Sequence, residues 1–318
     1  MTWRVLALSP LPVEILQQMF GDPRAELVVP SARTQAAVDE QLPEVDIVVG
    51  DWTHQLRVDD PSARVSLVQM PSVGVDTINL AACAAAGVPV ANTAGANARS
   101  VAEWCLAATL ALFRKTVEGD GAVRRGEWPQ ISLGARDLAG SRIGVLGMGA
   151  IGSRVAQLFG ALDCEVQYWS RSRREGVPAA YVELDGLLAS SDVVVVVIPL
   201  APDTRQLLDS RRLGQLKPGS FVVNGARGGI IDEDALIDAL RSGQVGGAAL
   251  DVFRTEPLPA TSPLRELPRV VLSPHMAGSS EQAAAAIVAQ SAANLRRAYD
   301  GAPLVDVVNG VDPVVRRR

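Results

Sequence analysis

The segment Arg142-Ile143-Gly144-Val145-Leu146-Gly147-Met148-Gly149-Ala150-Ile151-Gly152 decides the fold of this chain. Its first five residues have the composition of a buried β-strand, and its last six form a G-x-G-x-x-G turn. Ser153–Leu162 follows with helical spacing, which supplies the context that a lone glycine motif lacks. In such a unit Gly147 permits the tight turn, Gly149 lets the backbone approach a pyrophosphate, and Gly152 lets helix and strand pack closely. The segment therefore predicts a dinucleotide-binding unit, with a purely structural glycine turn as the alternative.

The end of the next predicted strand indicates which dinucleotide binds. Sites for NAD place Asp or Glu about 20 residues after the first glycines, whereas sites for NADP have Arg near the ribose 2′-phosphate. Here the strand at residues 165–169 is followed by Ser170-Arg171-Ser172-Arg173-Arg174, with no carboxylate. A guanidinium pairs with a phosphate, which a carboxylate would repel. We therefore predict NADP(H) rather than NAD, with an exposed basic loop as the alternative.

On both sides of this unit, short β-branched runs alternate with segments of helical spacing, which is typical of parallel α/β folds. The predicted strands are residues 5–8, 26–29, 46–49, 65–69 and 88–91, then 142–146, 165–169, 193–198, 221–223, 247–250 and 270–272. Residues 193–198 are all Val or Ile, as in a strand buried on both faces. We predict a long helix at Asn97–Lys115, followed by a polar stretch around Gly119–Asp137, and place the domain change near this helix. The last predicted helix, Glu281–Tyr299, either completes the second domain or crosses back to the first.

Composition excludes several classes of protein. Hydrophobic residues make up 48% of the 318 residues, enough for a large core, and the length suggests two domains. A net charge of -5 and 4% aromatic residues argue against nucleic-acid binding. We expect the final Arg316, Arg317 and Arg318 to be a solvated terminus.

The chain also lacks the marks of a membrane or secreted protein. Its apolar runs are shorter than the ~20 residues of a membrane helix, and no signal peptide is visible. Cys83, Cys105 and Cys164 have no paired or metal-binding spacing. We therefore expect a cytoplasmic protein with no metal site.

Two histidines are candidates for the proton donor that hydride transfer to a carbonyl requires. His275 follows the predicted strand 270–272, and ligands of open α/β sheets bind beyond the carboxyl ends of strands. We predict His275 as the acid/base, with a structural histidine as the alternative. His54 follows strand 46–49 in a polar loop, where we expect no acid/base role; contact with a substrate is the functional alternative.

Two further strand ends carry charged residues. Asn224–Gly229 follows strand 221–223, and its glycines would let the backbone approach a ligand while Arg227 projects. Glu256 follows strand 247–250, where a carboxylate would orient the imidazole of His275 and favour its protonated form, although a surface loop charge is the alternative. Capping and the helix dipole explain a third charged group, Asp232–Asp234, at the start of a predicted helix.

The chain resembles the D-isomer-specific 2-hydroxyacid dehydrogenases, in particular those of the NADP-dependent glyoxylate/hydroxypyruvate reductase type, over nearly its whole length. The resemblance rests on Gly-Val-Asp at 74–76, Asn-Ala-Arg-Ser-Val-Ala-Glu at 97–103, the turn at 147–152, residues 224–234, Ala-Leu-Asp-Val-Phe at 249–253, Glu-Pro-Leu at 256–258 and Ser-Pro-His at 273–275. It implies an α/β protein with two doubly wound parallel-sheet domains. These are a Rossmann cofactor domain, residues 97–286, and a flavodoxin-like substrate domain, residues 1–96 plus 287–318. It also implies a homodimer formed through the region of helix Asn97–Lys115, around Trp104 and Leu110.

The resemblance implies roles for individual residues. Arg227 binds and polarises a 2-oxo-carboxylate, His275 is the acid/base, and Glu256 pairs with it. Backbone groups at Val73 and Gly74 take the substrate carboxylate. The residues predicted or implied to bind the cofactor are Val101, Gly147, Gly149, Ala150, Ile151, Gly152, Ser170, Arg171, Arg173, Arg174, Pro199, Thr204, Ala226, Asp251 and Gly278. Among them Ala150 and Ile151 hold the pyrophosphate, Pro199 and Thr204 line the adenine side, and Asp251 contacts the nicotinamide carboxamide.

Two departures from the family bear on function. Many members have Asp where Ser170 stands, so a preference for NAD is not carried over. Formate-oxidising relatives have Gln where Glu256 stands, and a carboxylate there favours hydroxyacid chemistry, in which a proton must reach a keto oxygen. We therefore expect NADPH-dependent reduction of a small 2-oxoacid to the (R)-2-hydroxyacid, the configuration by resemblance alone. The alternatives are a non-enzymatic, corepressor-like nucleotide-sensing protein and a phosphite- or formate-type dehydrogenase. The loops Asp51–Leu56 and Met70–Val73 would recognise the substrate side chain.

Overall fold

A computed structural model describes residues 2–9, 11–32, 34–51, 54–58, 60 and 62–318 of the protein. The chain divides into a first unit, residues 1–97 with 280–318, and a second unit, residues 98–279. Each unit is a parallel β-sheet with helices packed against it. The predicted fold class is thereby confirmed.

The first unit has the strand order of a flavodoxin-like fold. Its strands are β1 (Trp3–Ala7), β2 (Ala25–Val28), β3 (Ile47–Val49), β4 (Leu67–Gln69) and β5 (Val90–Ala91), and its helices are α1 (Val13–Phe20), α2 (Gln35–Asp39), α3 (Leu80–Ala85) and α10 (Glu281–Tyr299). The strand order within the described residues is β2-β1-β3-β4-β5, all parallel. Alternate residues of the strands point to opposite layers: Val5 and Ala7 pack with α1 and α10, while Leu6 packs with Val38 of α2.

The second unit has the order of a Rossmann fold with one further strand. Its elements are α4 (Ala98–Arg114), α5 (Thr116–Arg124), β6 (Arg142–Leu146), α6 (Ala150–Gly160), β7 (Glu165–Trp169), β8 (Ala180–Tyr181), α7 (Leu184–Ser190), β9 (Val193–Val196), α8 (Ser210–Gly214), β10 (Ser220–Asn224), α9 (Glu233–Ser242), β11 (Val245–Leu250) and β12 (Val270–Leu272). The strand order is β12-β11-β10-β9-β6-β7-β8. Val193 and Val195 of β9 pack into one layer, and Val194 and Val196 into the other. The all-valine strand is therefore buried on both faces, as its composition predicts.

The unit boundaries differ from the predicted domain boundaries. The predicted change at 286/287 lies inside α10, whereas the structure divides the chain between Ser279 and Ser280. Ser280 caps α10, and the buried residues of this helix, Ala292 and Leu295 among them, pack on the first sheet. A single helix packed along one sheet cannot be shared, so the whole of α10 belongs to the first unit. The other division, 97/98, lies one residue from the predicted 96/97.

Several element bounds also differ from prediction. The strands predicted at 65–69 and 88–91 are shorter, since β4 pairs with a β3 of only three residues. β11 begins at Val245, two residues earlier than predicted. Glycine is unfavourable in a strand interior, but Gly246 lies against the backbone of Gly219, where a Cβ would clash. The polar stretch around Gly119–Asp137 contains part of helix α5, which has Ala122 as its one buried residue and therefore no apolar pattern to detect. The two-residue strand β8 was likewise not predicted.

The C-terminal arginines are not all solvated, contrary to expectation. Arg317 binds the buried carboxylate of Asp46 through two contacts of 2.8 Å and donates to the carbonyl of Thr2 at 2.7 Å. Its guanidinium also lies 5.2 Å from the ring centroid of Trp3. A buried carboxylate needs a cationic partner, and the tail supplies it. Arg316 does remain exposed, beside Asp312.

Among the described helices, none has the length and apolarity to cross a membrane.

Candidate active site

The glycine turn between β6 and α6 has the geometry of a dinucleotide cradle. Gly147 has a φ of +102°, and a Cβ there would lie 2.9 Å from Cα of Ile198. A Cβ on Gly152 would lie 2.0 Å from the carbonyl oxygen of Gly147, so the helix packs directly on the turn. Among the residues that the structure describes, none has an atom within 4 Å of a Cβ placed on Gly149. Two of the glycines are required by the fold, and the third faces open space.

The N-terminus of α6 can receive an anion. Gly149 is the N-cap residue, and no side chain caps the helix. The first hydrogen bond of the helix runs from the backbone N–H of Ser153 to the carbonyl of Gly149, at 3.0 Å. The N–H groups of Ala150, Ile151 and Gly152 come before this bond and therefore have no acceptor within the helix. Free N–H groups at the positive end of a helix bind phosphates. The turn and the helix therefore fit the pyrophosphate of a dinucleotide.

Three arginines follow β7, at the carboxyl edge of the second sheet, and all three are exposed. Nη1 of Arg171 lies 3.7 Å from Oδ2 of Asp203. The guanidinium carbon of Arg173 lies 5.1 Å from the ring centroid of Tyr181. Arg174 is fixed by its backbone to Tyr168, whose hydroxyl accepts from its N–H at 2.8 Å and donates to its carbonyl at 2.9 Å. The guanidinium groups are thus presented to solvent from a fixed loop.

The segment before these arginines and the loop after β9 are held by hydroxyl groups. Ser170 Oγ donates to the carbonyl of Ser172 at 2.7 Å. Thr204, which is 1% exposed, accepts from the N–H of Ala201 at 2.7 Å and donates to the carbonyl of Pro199 at 2.8 Å. The hydroxyl of Thr204 therefore braces the loop from within.

Glu256 and His275 are joined, as the sequence argument anticipated. Oε2 of Glu256 lies 2.7 Å from Nδ1 of His275, and Oε1 accepts from the N–H of Phe253 at 2.9 Å. Both side chains are partly exposed, at 47% for His275 and 34% for Glu256. The carboxylate is therefore fixed at both oxygens, while the imidazole reaches solvent.

Asp251 positions the segment that carries His275. Its buried carboxylate accepts from Ser273 Oγ at 2.5 Å and from the N–H groups of Met276 and Ala277 at 2.8 Å each. Its carbonyl accepts from the N–H of His275 at 2.8 Å, and His275 has a φ of +53°. A left-handed histidine is uncommon and persists where neighbouring bonds determine it. Sequence analysis assigned Asp251 only to the cofactor and missed this bracing role.

Arg227 lies in the loop after β10, next to the Glu256 loop. Its guanidinium is half-buried, with Nη1 donating to the carbonyl of Ala226 at 2.8 Å. A Cβ on the following Gly228 would lie 2.0 Å from the carbonyl carbon and oxygen of Phe253. Only glycine permits this approach, which brings the Arg227 loop onto the loop that ends at Glu256. This glycine was expected from the sequence to let the backbone approach a ligand, whereas in the structure it lies against the backbone of Phe253.

The acidic group at the start of α9 does more than cap the helix. Asp232 accepts from the N–H of Ala235 at 3.2 Å, as expected of a cap. Glu233 accepts from the N–H of Arg254 at 3.0 Å, and Asp234 binds the Arg254 guanidinium through contacts of 2.6 and 3.2 Å. These residues therefore fix the segment immediately before Glu256.

Three further residues of the second unit were predicted to bind the cofactor, and they lie at three different positions in the structure: Val101, Ala226 and Gly278. Val101 is 3% exposed on α4, against Gly225. The N–H of Ala226 donates to Asn224 Oδ1, and Gly278 lies in the turn closed by Met276 and Ser279.

Cys105 also borders Gly225, where burial, with a smaller contribution from the charge of Asp251, raises the pKa of its thiol. This thiol stays protonated and is no nucleophile.

Val73 and Gly74 belong to the first unit, beyond the carboxyl end of β4. The carbonyl of Val73 accepts from Asn92 Nδ2 at 2.7 Å, and that of Gly74 accepts from Ser72 Oγ at 2.7 Å. Both carbonyl groups are engaged, and in the described part of the chain neither backbone N–H has an acceptor. Two such N–H groups suit a carboxylate. The buried Asn92 was missed by the sequence argument.

His54 forms a pair within its own loop. Its Nδ1 lies 2.8 Å from Asp51 Oδ2, and Asp51 Oδ1 accepts from its backbone N–H at 2.9 Å. The side chain of His54 is 11% exposed. Trp52 and Thr53, which belong to the loop predicted to recognise the substrate side chain, lie outside the described residues.

No group of three or more His, Cys, Asp or Glu in the described chain is arranged to hold a metal ion.

Comparison with known proteins agrees with this geometry. A sequence model of the D-isomer specific 2-hydroxyacid dehydrogenase, NAD binding domain, matches residues 106–277. The chain is 33% identical to the D-3-phosphoglycerate dehydrogenase of Archaeoglobus fulgidus over 96% of its own length but 59% of that protein. It is 37% identical to the glyoxylate reductase of Aeropyrum pernix, over 77% of each chain.

Solved structures give the same family. The NADPH-dependent glyoxylate/hydroxypyruvate reductase of Sinorhizobium meliloti, in complex with NADP and malonate, superposes with a TM-score of 0.86, 26% identity and full coverage of both chains. The NAD-dependent formate dehydrogenase of Staphylococcus aureus, in complex with NAD, superposes with a TM-score of 0.84 and 28% identity, over 99% of this chain and 100% of that one. The chain belongs to the D-isomer-specific 2-hydroxyacid dehydrogenase family.

Proposed function

We propose that the protein reduces a small 2-oxoacid to the (R)-2-hydroxyacid, using NADPH. The pair formed by Glu256 and His275 carries this proposal. It stands at the carboxyl edge of the sheet that also bears the dinucleotide turn, and the carboxylate fixes the imidazole for proton transfer. The similarity to glyoxylate reductase supports the reaction class.

The residues divide the chemistry among them. When bound, NADPH supplies the hydride that reduces the keto carbon. His275 donates the proton to the keto oxygen from Nε2, while Glu256 holds Nδ1. Arg227 binds the carboxylate of the substrate and stabilises the negative charge that develops on the oxygen. The assignment of the N–H groups of Val73 and Gly74, in the first unit, to the substrate carboxylate rests on the resemblance to the family alone.

A steady-state assay tests this function. NADPH oxidation is measured with glyoxylate, hydroxypyruvate, and branched and aromatic 2-oxoacids, and the product is resolved by chiral chromatography. His275→Ala should lower kcat by about 10²- to 10⁴-fold while leaving the Kd for NADPH unchanged. A variant that turns over near the wild-type rate would remove His275 from the mechanism. NADPH binding with no turnover of any 2-oxoacid, and no reduction of NADP⁺ or NAD⁺ by formate or phosphite, would favour the nucleotide-sensing protein.

The preference for NADP over NAD is part of the proposal. It is supported by Ser170, where a carboxylate would select NAD, and by the exposed guanidinium groups of Arg171, Arg173 and Arg174. The Ser170→Asp, Arg171→Ala double variant should shift kcat/KM towards NADH. Unchanged selectivity for NADPH would argue against a 2′-phosphate site at this loop.

We also propose that the protein acts as a homodimer in the cytoplasm. Trp128 and Ile131, after α5, are 78% and 90% exposed, and large apolar side chains at this exposure favour an interface with a second copy. Light scattering that gives the mass of one chain would exclude the dimer.

The cytoplasmic location is supported by the cysteines. Cys83, Cys105 and Cys164 are all free thiols, as in a reducing compartment.

A further inference from the structure

The ion pair between Arg171 and Asp203 crosses the dinucleotide turn. Arg171 follows β7, and Asp203 lies in the loop that follows β9. In the sheet these two strands flank β6, whose carboxyl end leads into Gly147–Gly152. The pair therefore reaches from one side of the turn to the other.

The two partners differ in how firmly they are held. The loop of Asp203 is braced by the Thr204 hydroxyl, and the N–H of Gln206 donates to the carbonyl of Gly229 at 2.8 Å. The two side chains are similarly exposed, at 59% for Arg171 and 56% for Asp203, and the Arg171 loop is held as well. The guanidinium, however, stands at the end of a long side chain, whereas a single methylene group joins the Asp203 carboxylate to the backbone. The carboxylate is consequently the fixed member, and the guanidinium is the member that can turn to another anion.

The pair is weak enough to be exchanged. Its atoms are 3.7 Å apart and both side chains are more than half exposed, and exposed pairs of this kind contribute little. A phosphate is the stronger partner for a guanidinium because it offers more charge and several acceptor oxygens. A fixed carboxylate beside that guanidinium still opposes the exchange, since it competes for Arg171 and repels the incoming phosphate.

We propose that Asp203 is a specificity-determining residue that weakens binding of the 2′-phosphate and so moderates the preference for NADP over NAD. This inference rests on the proposed cofactor, because it assigns the 2′-phosphate to the Arg171 loop. Asp203 touches Arg171 and acts as the competing anion. Neither the glycine turn nor the Glu256 and His275 pair is involved.

Binding of two cofactor fragments tests the proposal without any turnover. Titration calorimetry measures 2′,5′-ADP, which carries the 2′-phosphate, and 5′-AMP, which does not, on the wild type and on Asp203→Asn. The variant should bind 2′,5′-ADP about fivefold more tightly, with 5′-AMP unchanged, and the gain should shrink as salt is raised. Asp203→Ser should give the same gain.

Asp238→Asn is the matched control. Asp238 is also an exposed carboxylate of the second unit and lies 3.7 Å from Arg241, so its replacement removes the same charge elsewhere. It should leave both affinities unchanged. Equal gains from Asp203→Asn and Asp238→Asn, equal gains for the two fragments, or no gain would overturn the role of Asp203. A wild type that does not prefer 2′,5′-ADP over 5′-AMP would instead overturn the NADP proposal. In that case, a higher affinity of Asp203→Asn for 2′,5′-ADP would still support the role of Asp203 as a competing carboxylate.

Discussion

Glu256 holds His275 from one side only, with Oε2 at 2.7 Å from Nδ1. Oε1 of the same carboxylate is occupied by the N–H of Phe253, so the carboxylate cannot rotate away from the imidazole without losing a second bond. On the other side, the backbone of His275 is bound to Asp251. A histidine fixed at Nδ1 and at its backbone presents Nε2 in one direction, which is what a directed proton transfer requires.

Glu256→Gln should therefore separate charge from geometry. An amide can still accept from Phe253, but its NH₂ group then faces Nδ1 and favours the neutral imidazole. The kcat for 2-oxoacid reduction should fall about 10- to 100-fold, because a neutral amide does not stabilise the imidazolium by charge. Glu266→Gln, at an exposed glutamate of the same unit, is the control and should change nothing. An unchanged kcat in Glu256→Gln would show that the charge of Glu256 is not what matters.

Gly228→Ala should damage both the fold and the site. The new Cβ would lie 2.0 Å from the backbone of Phe253, so the Arg227 loop and the Glu256 loop must separate. We expect a loss of about 1–3 kcal/mol in the free energy of unfolding and a fall in kcat of about 100-fold or more, measured by urea denaturation and steady-state kinetics.

Gly160→Ala is the control for Gly228→Ala. Gly160 is the last residue of α6, and a Cβ there would meet no atom of the described part of the chain within 4 Å. This variant should keep full activity and gain up to about 1 kcal/mol of stability. Equal behaviour of the two variants would mean that the close approach at Gly228 does not position the site.

The fold was predictable because its signals are local. The valines of β9 and the glycines of the β6–α6 turn each carry a pattern that can be recognised within one strand or one turn, although in the structure β9 pairs with β6 and Gly147 lies against Ile198. Elements without such a signal escaped prediction. Helix α5 buries a single residue, and the first two residues of β11 were missed because Gly246 serves a close approach to Gly219, just before β10, that composition alone does not show.

The candidate site was predictable only in part, because its supporting contacts join residues far apart in the chain. Strand-end positions identified His275, Glu256 and Arg227 as candidates. The four bonds of Asp251 to the His275 segment and the hold of Asp234 on Arg254 depend on which loops the fold brings together. The same holds for Arg317, whose partner Asp46 follows from tertiary structure and not from any motif.

Gly149→Ala should separate cofactor binding from folding. Its Cβ would enter the space next to the α6 N-terminus without touching protein. The Tm of the apoprotein should stay within about 1 °C of wild type, while the Kd for NADPH, measured by fluorescence titration, should rise about tenfold or more as the pyrophosphate is displaced.

Gly152→Ala gives the opposite expectation at the other end of the same turn. A Cβ there would lie 2.0 Å from the carbonyl oxygen of Gly147, so this variant should lose stability whether or not cofactor is present. Unchanged NADPH affinity in a folded Gly149→Ala protein would contradict the placement of the pyrophosphate at this turn.

Arg317→Ala tests whether the chain terminus stabilises the first unit. Asp46 is 2% exposed, and removal of Arg317 leaves its carboxylate with the N–H of Arg4 at 2.8 Å and a distant Arg64 at 3.8 Å. Loss of one partner of a buried pair is costly, and we expect the free energy of unfolding to fall by about 2–4 kcal/mol. Arg316→Ala, which removes an exposed arginine 3.3 Å from Asp312, should cost less than about 0.5 kcal/mol. Chemical denaturation of the two variants at neutral pH makes the comparison, and equal stability would return Arg317 to the role of a solvated tail.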